Sequence, residues 1–261
     1  MHSDQFVKFL GTAGARYVVA RQLRSSAGTF IKVKGHNIML DPGPGTLVRC
    51  AKSRPKIDVT KLDAIILTHS HVDHSNDVNV LIDAMTEGGL TRRGVLFAPL
   101  QCLEGRNAVV FAYLREFLTE ITILKPNRRY SLGDVSFSTS VRHQHSVETY
   151  GVKLELDGLV LSFMVDTRYF PGLTDSYAES TFLVMNVVRQ RPHESGEVLH
   201  LCVDDVRRIL SRIGPRRAIL THFGMTMLRA RPWQIAEKLT EDLGIQVVAA
   251  SDGMTVALDE V

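Results

Sequence analysis

The sequence predicts a mixed α/β fold with substantial antiparallel pairing. Three observations predict it. Short apolar runs rich in Val, Ile, Leu and Phe recur along the chain, Gly-containing turns join some of them, and stretches with apolar residues at helical spacing lie between others.

The expected strands are Phe6–Leu10, Thr29–Lys34, Asn37–Leu40, Ala64–Leu67, Gly94–Ala98, Ile121–Leu124, Val135–Thr139, Tyr150–Glu155, Leu159–Val165, Phe182–Val188, Ala218–Leu220 and Gln246–Ala249, with a tail strand at Thr255–Leu258. Their composition suits strands buried on at least one face. Lys34-Gly35-His36-Asn37 and Asp157-Gly158 read as hairpin turns. Val78, Leu81, Ile82 and Met85 follow an i, i+3, i+4, i+7 pattern, with Asp77 as N-cap. Val203, Val206, Leu210 and Ile213 make a second stripe, and Arg207, Arg208 and Arg212 fall off it onto a solvated face. A last helix starts at Pro232, suited to the first helical turn, and runs to Leu243 before Gly244. No sequence repeat, low-complexity segment or linker interrupts residues 1–261, so a single domain is expected.

A chain of 261 residues can bury a substantial core. With 44% hydrophobic and 23% charged residues it reads as globular, soluble and cytoplasmic. A net charge of +3 permits an anionic substrate without demanding a nucleic-acid partner. Cys50, Cys102 and Cys202 are scattered and odd in number, which argues for core thiols in a reducing compartment rather than a disulfide framework. Residues 1–30 carry no secretory signal pattern, and no window offers the ~18 apolar residues of a membrane span, so no membrane association is expected.

The chemistry concentrates in Ala64-Ile65-Ile66-Leu67-Thr68-His69-Ser70-His71-Val72-Asp73-His74. An apolar strand ends in three imidazoles and a carboxylate. Buried separately, each of these groups would need its own hydrogen-bond partners. Shared coordination of a metal removes that cost, since neutral imidazole and carboxylate are good zinc ligands.

The string His69-x-His71-x-Asp73-His74 after a strand resembles the signature loop of the metallo-β-lactamase superfamily. Four further segments resemble that family's motifs in order: Met39-Leu40-Asp41-Pro42-Gly43, His145-Ser146-Val147-Glu148-Thr149-Tyr150-Gly151, Phe163-Met164-Val165-Asp166-Thr167 and Ile219-Leu220-Thr221-His222-Phe223-Gly224. The resemblance implies a four-layer αββα sandwich with metals at one edge. It implies that His69, His71 and His145 hold one metal, that Asp73, His74 and His222 hold the other, and that Asp166 bridges them. Asp41 would orient a ligand imidazole from behind. His143 competes with His145, which the His-x-Val-x-x-x-Gly context favours.

An aspartate at 166, where the Asp-Cys-His β-lactamases carry cysteine, speaks against antibiotic hydrolysis. Phe9-Leu10-Gly11-Thr12, Arg24-Ser25-Ser26 and Leu40-Asp41-Pro42-Gly43-Pro44-Gly45-Thr46 are similar to ribonuclease Z and related phosphodiesterases. In that branch a histidine near the position of His200 contacts the scissile phosphate and assists the leaving group. His200 is therefore the candidate general acid, with a helix-start packing role as the alternative. The carboxylate that assists this histidine in the family is replaced by Asn186. No Gly/Pro-rich arm of the kind that clamps transfer RNA lies between His74 and His145. Transfer RNA is thus not the expected partner, and a small or short phosphodiester is. Arg168 is a candidate phosphate contact, and Arg229 and Arg231 are weaker ones; a surface ion pair is the alternative for each.

The expected activity is hydrolysis of a phosphodiester or related phosphoester by a hydroxide held between two divalent metals, with Asp73 and His200 as catalytic residues. Zinc is the expected metal, with manganese and iron as alternatives. Hydrolysis of a lactone, thioester or other acyl bond on the same centre is the second reading, and a non-catalytic metal-binding role the third. The sequence leaves a homo-oligomer open.

Overall fold

The computed structural model describes residues 5–26, 28–195 and 197–258. In chain order, β1 (Phe6–Phe9), β2 (Thr29–Val33), β3 (His36–Leu40), β4 (Ala64–Ile66), β5 (Val95–Pro99) and β6 (Glu120–Leu124) build one sheet. The second contains β7 (Arg129–Leu132), β8 (Val135–Arg142), β9 (Tyr150–Leu156), β10 (Leu159–Met164), β11 (Phe182–Arg189), the short β12 (Leu201–Cys202), β13 (Arg217–Thr221) and β14 (Gln246–Ala249). The chain then returns as β15 (Thr255–Ala257) to the first sheet, antiparallel to β1.

The two sheets share one plan. The first runs β15-β1-β2-β3-β4-β5-β6, antiparallel as far as β3 and parallel from β3 onward. The second runs β7-β8-β9-β10-β11-β13-β14, antiparallel as far as β10 and parallel from there.

Three apolar layers explain why most strands are apolar on both faces. Phe9, Ile31, Leu40 and Ile66 of the first sheet pack with Phe137, Val152, Phe163 and Val184 of the second. On the outer face of the first sheet, Met39, Ile65 and Leu96 meet Val78, Leu81, Ile82 and Met85 of helix Val78–Met85. On the outer face of the second, Leu183, Met185 and Leu220 meet Val206 and Leu210 of helix Val203–Ile213 and Ala236 and Leu239 of helix Pro232–Leu243. Burial of these faces from water drives the layering. Helices thus flank two facing sheets in αββα order. Among the described residues, no helix is long and apolar enough to cross a membrane.

Several expectations are met in detail. Both two-residue hairpin loops form, pairing Val33 with His36 and Leu156 with Leu159. Lys34 and Gly35 adopt left-handed backbone angles, as a primed turn requires. The last helix ends at Gly244 in the left-handed conformation. Arg207 and Arg212 pair with Asp242 and Asp175, and Arg208 lies over the Tyr169 ring. The three cysteines are buried and free, and burial raises the Cys50 thiol to about 12.

Others need correction. Asp77 occupies the N-cap position of its helix but does not cap it. Its carboxylate instead accepts from the Leu47 N–H at 3.1 Å, which ties the start of helix Thr46–Lys52 to it. Strand β7 was not anticipated, although Gly133-Asp134 forms a two-residue turn joining it to β8. The short helices Ala15–Ala20, Thr46–Lys52 and Pro171–Ser176 were also missed, because none is long enough to show a periodic stripe.

Candidate metal centre

The site lies where the ends of parallel strands from both sheets converge. Asp41 follows β3, His69 follows β4 by a short extension, Asp166 follows β10 and His222 follows β13. The turn of helix Val72–Ser75 carries Asp73 and His74, with His71 at its N-cap. His145 comes from the connection between β8 and β9, and His200 immediately precedes β12.

Asp41 organises the first group. Its backbone is left-handed, with φ of 48°, a conformation that aspartate tolerates better than most residues. Its Oδ1 accepts from the Thr68 N–H at 2.7 Å and its Oδ2 from the Thr68 hydroxyl at 2.6 Å. The same Oδ2 lies 2.9 Å from His74 Nδ1. Since the Thr68 hydroxyl has spent its proton on Asp41, it accepts from His69 Nδ1 at 3.0 Å. Both imidazoles therefore direct Nδ1 to a hydrogen-bond acceptor and turn Nε2 inward, the orientation that metal-binding histidines require. The Leu199 carbonyl, which can only accept, does the same for His145 by taking its Nδ1 proton at 3.2 Å. His145 Nε2 then lies 3.0 Å from His71 Nδ1, while His71 Nε2 meets the Ser146 hydroxyl at 3.2 Å.

Two donor sets result. One comprises His69, His71, His145 and Asp166; the other comprises Asp73, His74 and His222. Asp166 stands between them. Its Oδ2 is 4.0 Å from His69 Nε2, 3.9 Å from His145 Nε2 and 3.6 Å from His74 Nε2, and its Oδ1 is 3.4 Å from His222 Nε2. Asp73 Oδ2 is 3.7 Å from His222 Nε2 and 3.9 Å from His74 Nε2. A third geometric grouping, Asp41 with His69 and His74, offers no further site because both oxygens of Asp41 are already hydrogen-bonded.

The electrostatics fit cations at this place. Among the described residues, His69 Nε2, His74 Nε2 and His222 Nε2 are buried with no hydrogen-bond partner. Polar atoms are rarely buried unpaired, so three converging on one carboxylate identify a ligand set rather than a packing accident. Burial holds His69 well below the ordinary imidazole range, with the positive field of His74 adding to it. For His74 burial acts in the same direction but is overcome by Asp73, Asp166 and Asp41, which hold it well above that range. Burial alone would raise Asp166, yet His222, His200 and His74 hold its carboxyl well below the carboxylate range. His69, His71, His145 and Asp166 could thus hold one divalent ion, and Asp73, His74 and His222 could hold another.

The sequence from residue 36 to residue 223 matches the family model of the β-lactamase superfamily domain. The chain belongs to the metallo-β-lactamase superfamily. An uncharacterised protein of Methanocaldococcus jannaschii is 28% identical over 257 residues, covering 96% of this chain and 94% of that protein. Ribonuclease Z of Thermobifida fusca is 22% identical over 301 residues, covering 95% and 93%. These relatives place this superfamily member near the ribonuclease Z-like branch. The metallo-β-lactamase fold protein YhfI from Bacillus subtilis superposes with a TM-score of 0.78 at 17% identity, over 97% of this chain and 98% of that one. A diphosphatase of the PhnP family superposes at 0.69 and 18% identity, over 97% and 96%.

His143 lies away from the two candidate donor sets. Its ring contacts the Asp166 carbonyl and the Tyr177 hydroxyl. His200 stands at the edge of the centre, with Nδ1 3.7 Å from Asp166 Oδ2 and a side chain 21% exposed. Burial lowers its pKa, with Asp166 acting against that. Asn186, the expected counterpart of a His200 partner, instead donates to Asp166 Oδ1 at 2.9 Å. Arg168 donates to the Gln144 side chain at 2.7 Å and does not line the cleft, while Arg229 and Arg231 are exposed elsewhere. The cleft over the centre, about 760 Å³ in volume, is lined instead by Arg16, Tyr17 and Arg189, which the sequence did not single out. It also exposes Val72, Leu199 and Met225, so its walls are mainly apolar around a charged floor.

Proposed function

We propose that this protein is a binuclear metal-dependent phosphoester hydrolase acting on small or short phosphodiesters that carry an organic body. The observation that carries this reading is the pair of ligand sets sharing Asp166, with buried imidazole nitrogens aimed into one space beneath an open cleft. The ribonuclease Z relatives and the diphosphatase neighbour support phosphoester chemistry. Divalent ions held by such a pair would supply Lewis-acid activation of water and neutralise charge developing on the phosphoryl and leaving oxygens. Asp41 and Thr68 fix the tautomers that present His69 and His74 for this purpose. Arg16 and Arg189 give the mouth of the cleft positive charge suited to a phosphate, and Tyr17 and Val72, both exposed there, offer apolar surface to the rest of the substrate. The cleft volume lies in the range of small-molecule sites. His200, at the edge of the centre, is placed to donate a proton to a leaving oxygen.

Transfer RNA is not the proposed substrate, because the chain between His74 and His145 is spent on helix Val78–Met85, strands β5 to β8 and connections that carry the short helices Leu100–Leu103 and Ala112–Arg115. Zinc is the proposed metal and the cytoplasm the proposed location.

The test combines metal analysis with a substrate panel. Purified protein should hold close to two equivalents of divalent metal and hydrolyse bis(p-nitrophenyl) phosphate in preference to lactones and thioesters. Asp73→Ala should lower turnover by about 10²-fold or more while the protein stays folded. Faster cleavage of lactones or thioesters than of any phosphodiester would overturn the assignment, as would full activity with one metal.

A further inference from the structure

Asp166 is held by a buried polar chain that touches neither the cleft nor the other ligands. His143 is 2% exposed, and its Nδ1 lies 3.2 Å from the Asp166 carbonyl. That carbonyl can only accept, so Nδ1 carries the ring proton and Nε2 is an acceptor. The Tyr177 hydroxyl, 2.9 Å away, has a single proton, which Nε2 and the Phe163 carbonyl share as alternative acceptors. Tyr177 is fully buried, and the same hydroxyl is 3.2 Å from the Phe163 carbonyl on β10, the strand that leads to Asp166. The segment that begins at Asp166 and ends at Tyr177 is thus closed on itself through the His143 ring.

Gly151 completes the arrangement. A Cβ at this position would lie 1.6 Å from the Tyr177 hydroxyl oxygen and 2.6 Å from the Phe163 carbonyl. Only glycine leaves room for the hydroxyl, which explains the glycine at the end of the His145–Gly151 motif. An apolar residue at 143 would fill the same space without needing two partners, and a buried polar chain is favourable only when every member is satisfied. Both ring nitrogens of His143 have partners here, and the chain ends on the backbone of the carboxylate that lies between the two candidate donor sets.

We infer that His143, Tyr177 and Gly151 are positioning residues that fix the main chain at Asp166 and so set the aim of its carboxylate between the two metals. The inference rests on the binuclear reading proposed above. Asn186 holds the side chain of Asp166 and the His143–Tyr177 pair holds its main chain, so both degrees of freedom of the shared ligand are restrained.

Cobalt(II) titration of the metal-free protein, followed by visible absorption and by equilibrium dialysis, tests this without relying on turnover. Tyr177→Phe removes one oxygen and keeps the ring. It is expected to weaken uptake of the second equivalent by about tenfold and to change the cobalt spectrum, in line with the effect of groups that orient metal ligands. His143→Ala and Gly151→Ala are expected to do the same or more; where either fails to fold, Tyr177→Phe carries the test. Leu154→Ala serves as the control. It opens a cavity in the core between the sheets and should lower thermal stability while leaving cobalt affinity and spectrum at wild-type values. If Tyr177→Phe binds two equivalents with wild-type affinity and spectrum, the positioning role is overturned and the chain is only structural. A wild-type end point of one equivalent overturns the binuclear reading itself, and the inference with it.

Discussion

At the scale of single residues, two histidines near the centre should behave in opposite ways. His200 has one ring face towards the cleft and its Nδ1 near Asp166. If it protonates the departing oxygen, its loss matters most where that oxygen leaves reluctantly. His200→Ala should slow an alkyl phosphodiester by about 10²-fold or more and a p-nitrophenyl ester far less, with metal content unchanged. Equal losses on the two substrates, read from steady-state rates, would make it a phosphate contact instead. His143 should affect stability rather than rate-limiting proton transfer. Burial pushes its pKa from the ordinary 6.5 down to about 4. A base lowered on folding binds its proton more readily when unfolded, so its contribution is complete above pH 6.5 and is lost as pH falls towards 4. Metal-free protein should therefore lose up to about 3 kcal/mol across that window on account of His143. Urea titrations of wild type and His143→Gln at several pH values would show the difference, and parallel pH profiles would dismiss it.

The candidate ligands stand out in the sequence because their chemistry is costly anywhere except around a metal. Their supports do not. Thr68 looks like an ordinary strand-end threonine until Asp41 is seen to take its proton. Arg168 was nominated for its closeness in sequence to Asp166, but the chain turns there and its guanidinium binds Gln144. Arg16 and Tyr17 could not be found at all, since they reach the cleft only because Gly14 packs against the backbone of His222.

At the scale of elements, close approach of loops explains the glycine-rich motifs. A Cβ on Gly14 would lie 2.0 Å from the His222 carbonyl oxygen, one on Gly28 2.6 Å from that of Asp41, and one on Gly43 2.0 Å from that of Asp73. Each of these glycines seats the backbone of a ligand or of Asp41, so the loops cannot separate without disturbing the centre. Gly43→Ala should cost about 1–3 kcal/mol through overpacking and weaken metal binding at the same time. Gly35→Ala, at an open turn where only the left-handed backbone objects, should cost about 1 kcal/mol and leave metal binding intact. Thermal melts with and without metal separate the two, and equal metal affinity in both variants would dismiss the seating role. Strand interiors were readable because burial on two faces leaves an apolar run. The edge strand β7 was not, because Arg129-Tyr130-Ser131-Leu132 is buried only at its last residue.

At the scale of the molecule, the two sheets repeat one order of strands and directions although the sequence shows no repeat. Asp41 follows the fourth strand of that plan in the first sheet, and Asp166 follows its counterpart in the second. One holds Thr68 and His74 by hydrogen bonds, and the other lies between the two candidate donor sets. The halves are also laced together away from the metals. Asp252 accepts from the Thr12 hydroxyl at 2.7 Å and from the Ser25 N–H at 2.6 Å, and Arg24 reaches the same threonine. The residues that resemble ribonuclease Z near the amino terminus therefore act as a clasp between the two ends of the described chain.

That closure of β15 on β1 has a consequence for biosynthesis. On the ribosome, His69, His71, Asp73 and His74 emerge long before His222, and at translation rates of roughly 5–20 residues per second the interval is on the order of ten seconds. During it, the nascent chain offers a partial set of donors to any ion present, without the shared carboxylate for part of that time and without the last imidazole throughout. An ion captured then is held by few ligands and exchanges freely. On the binuclear reading, durable retention would begin only when β13 and the strands after it dock, so tight binding of a pair of ions would mark a chain that has folded through His222.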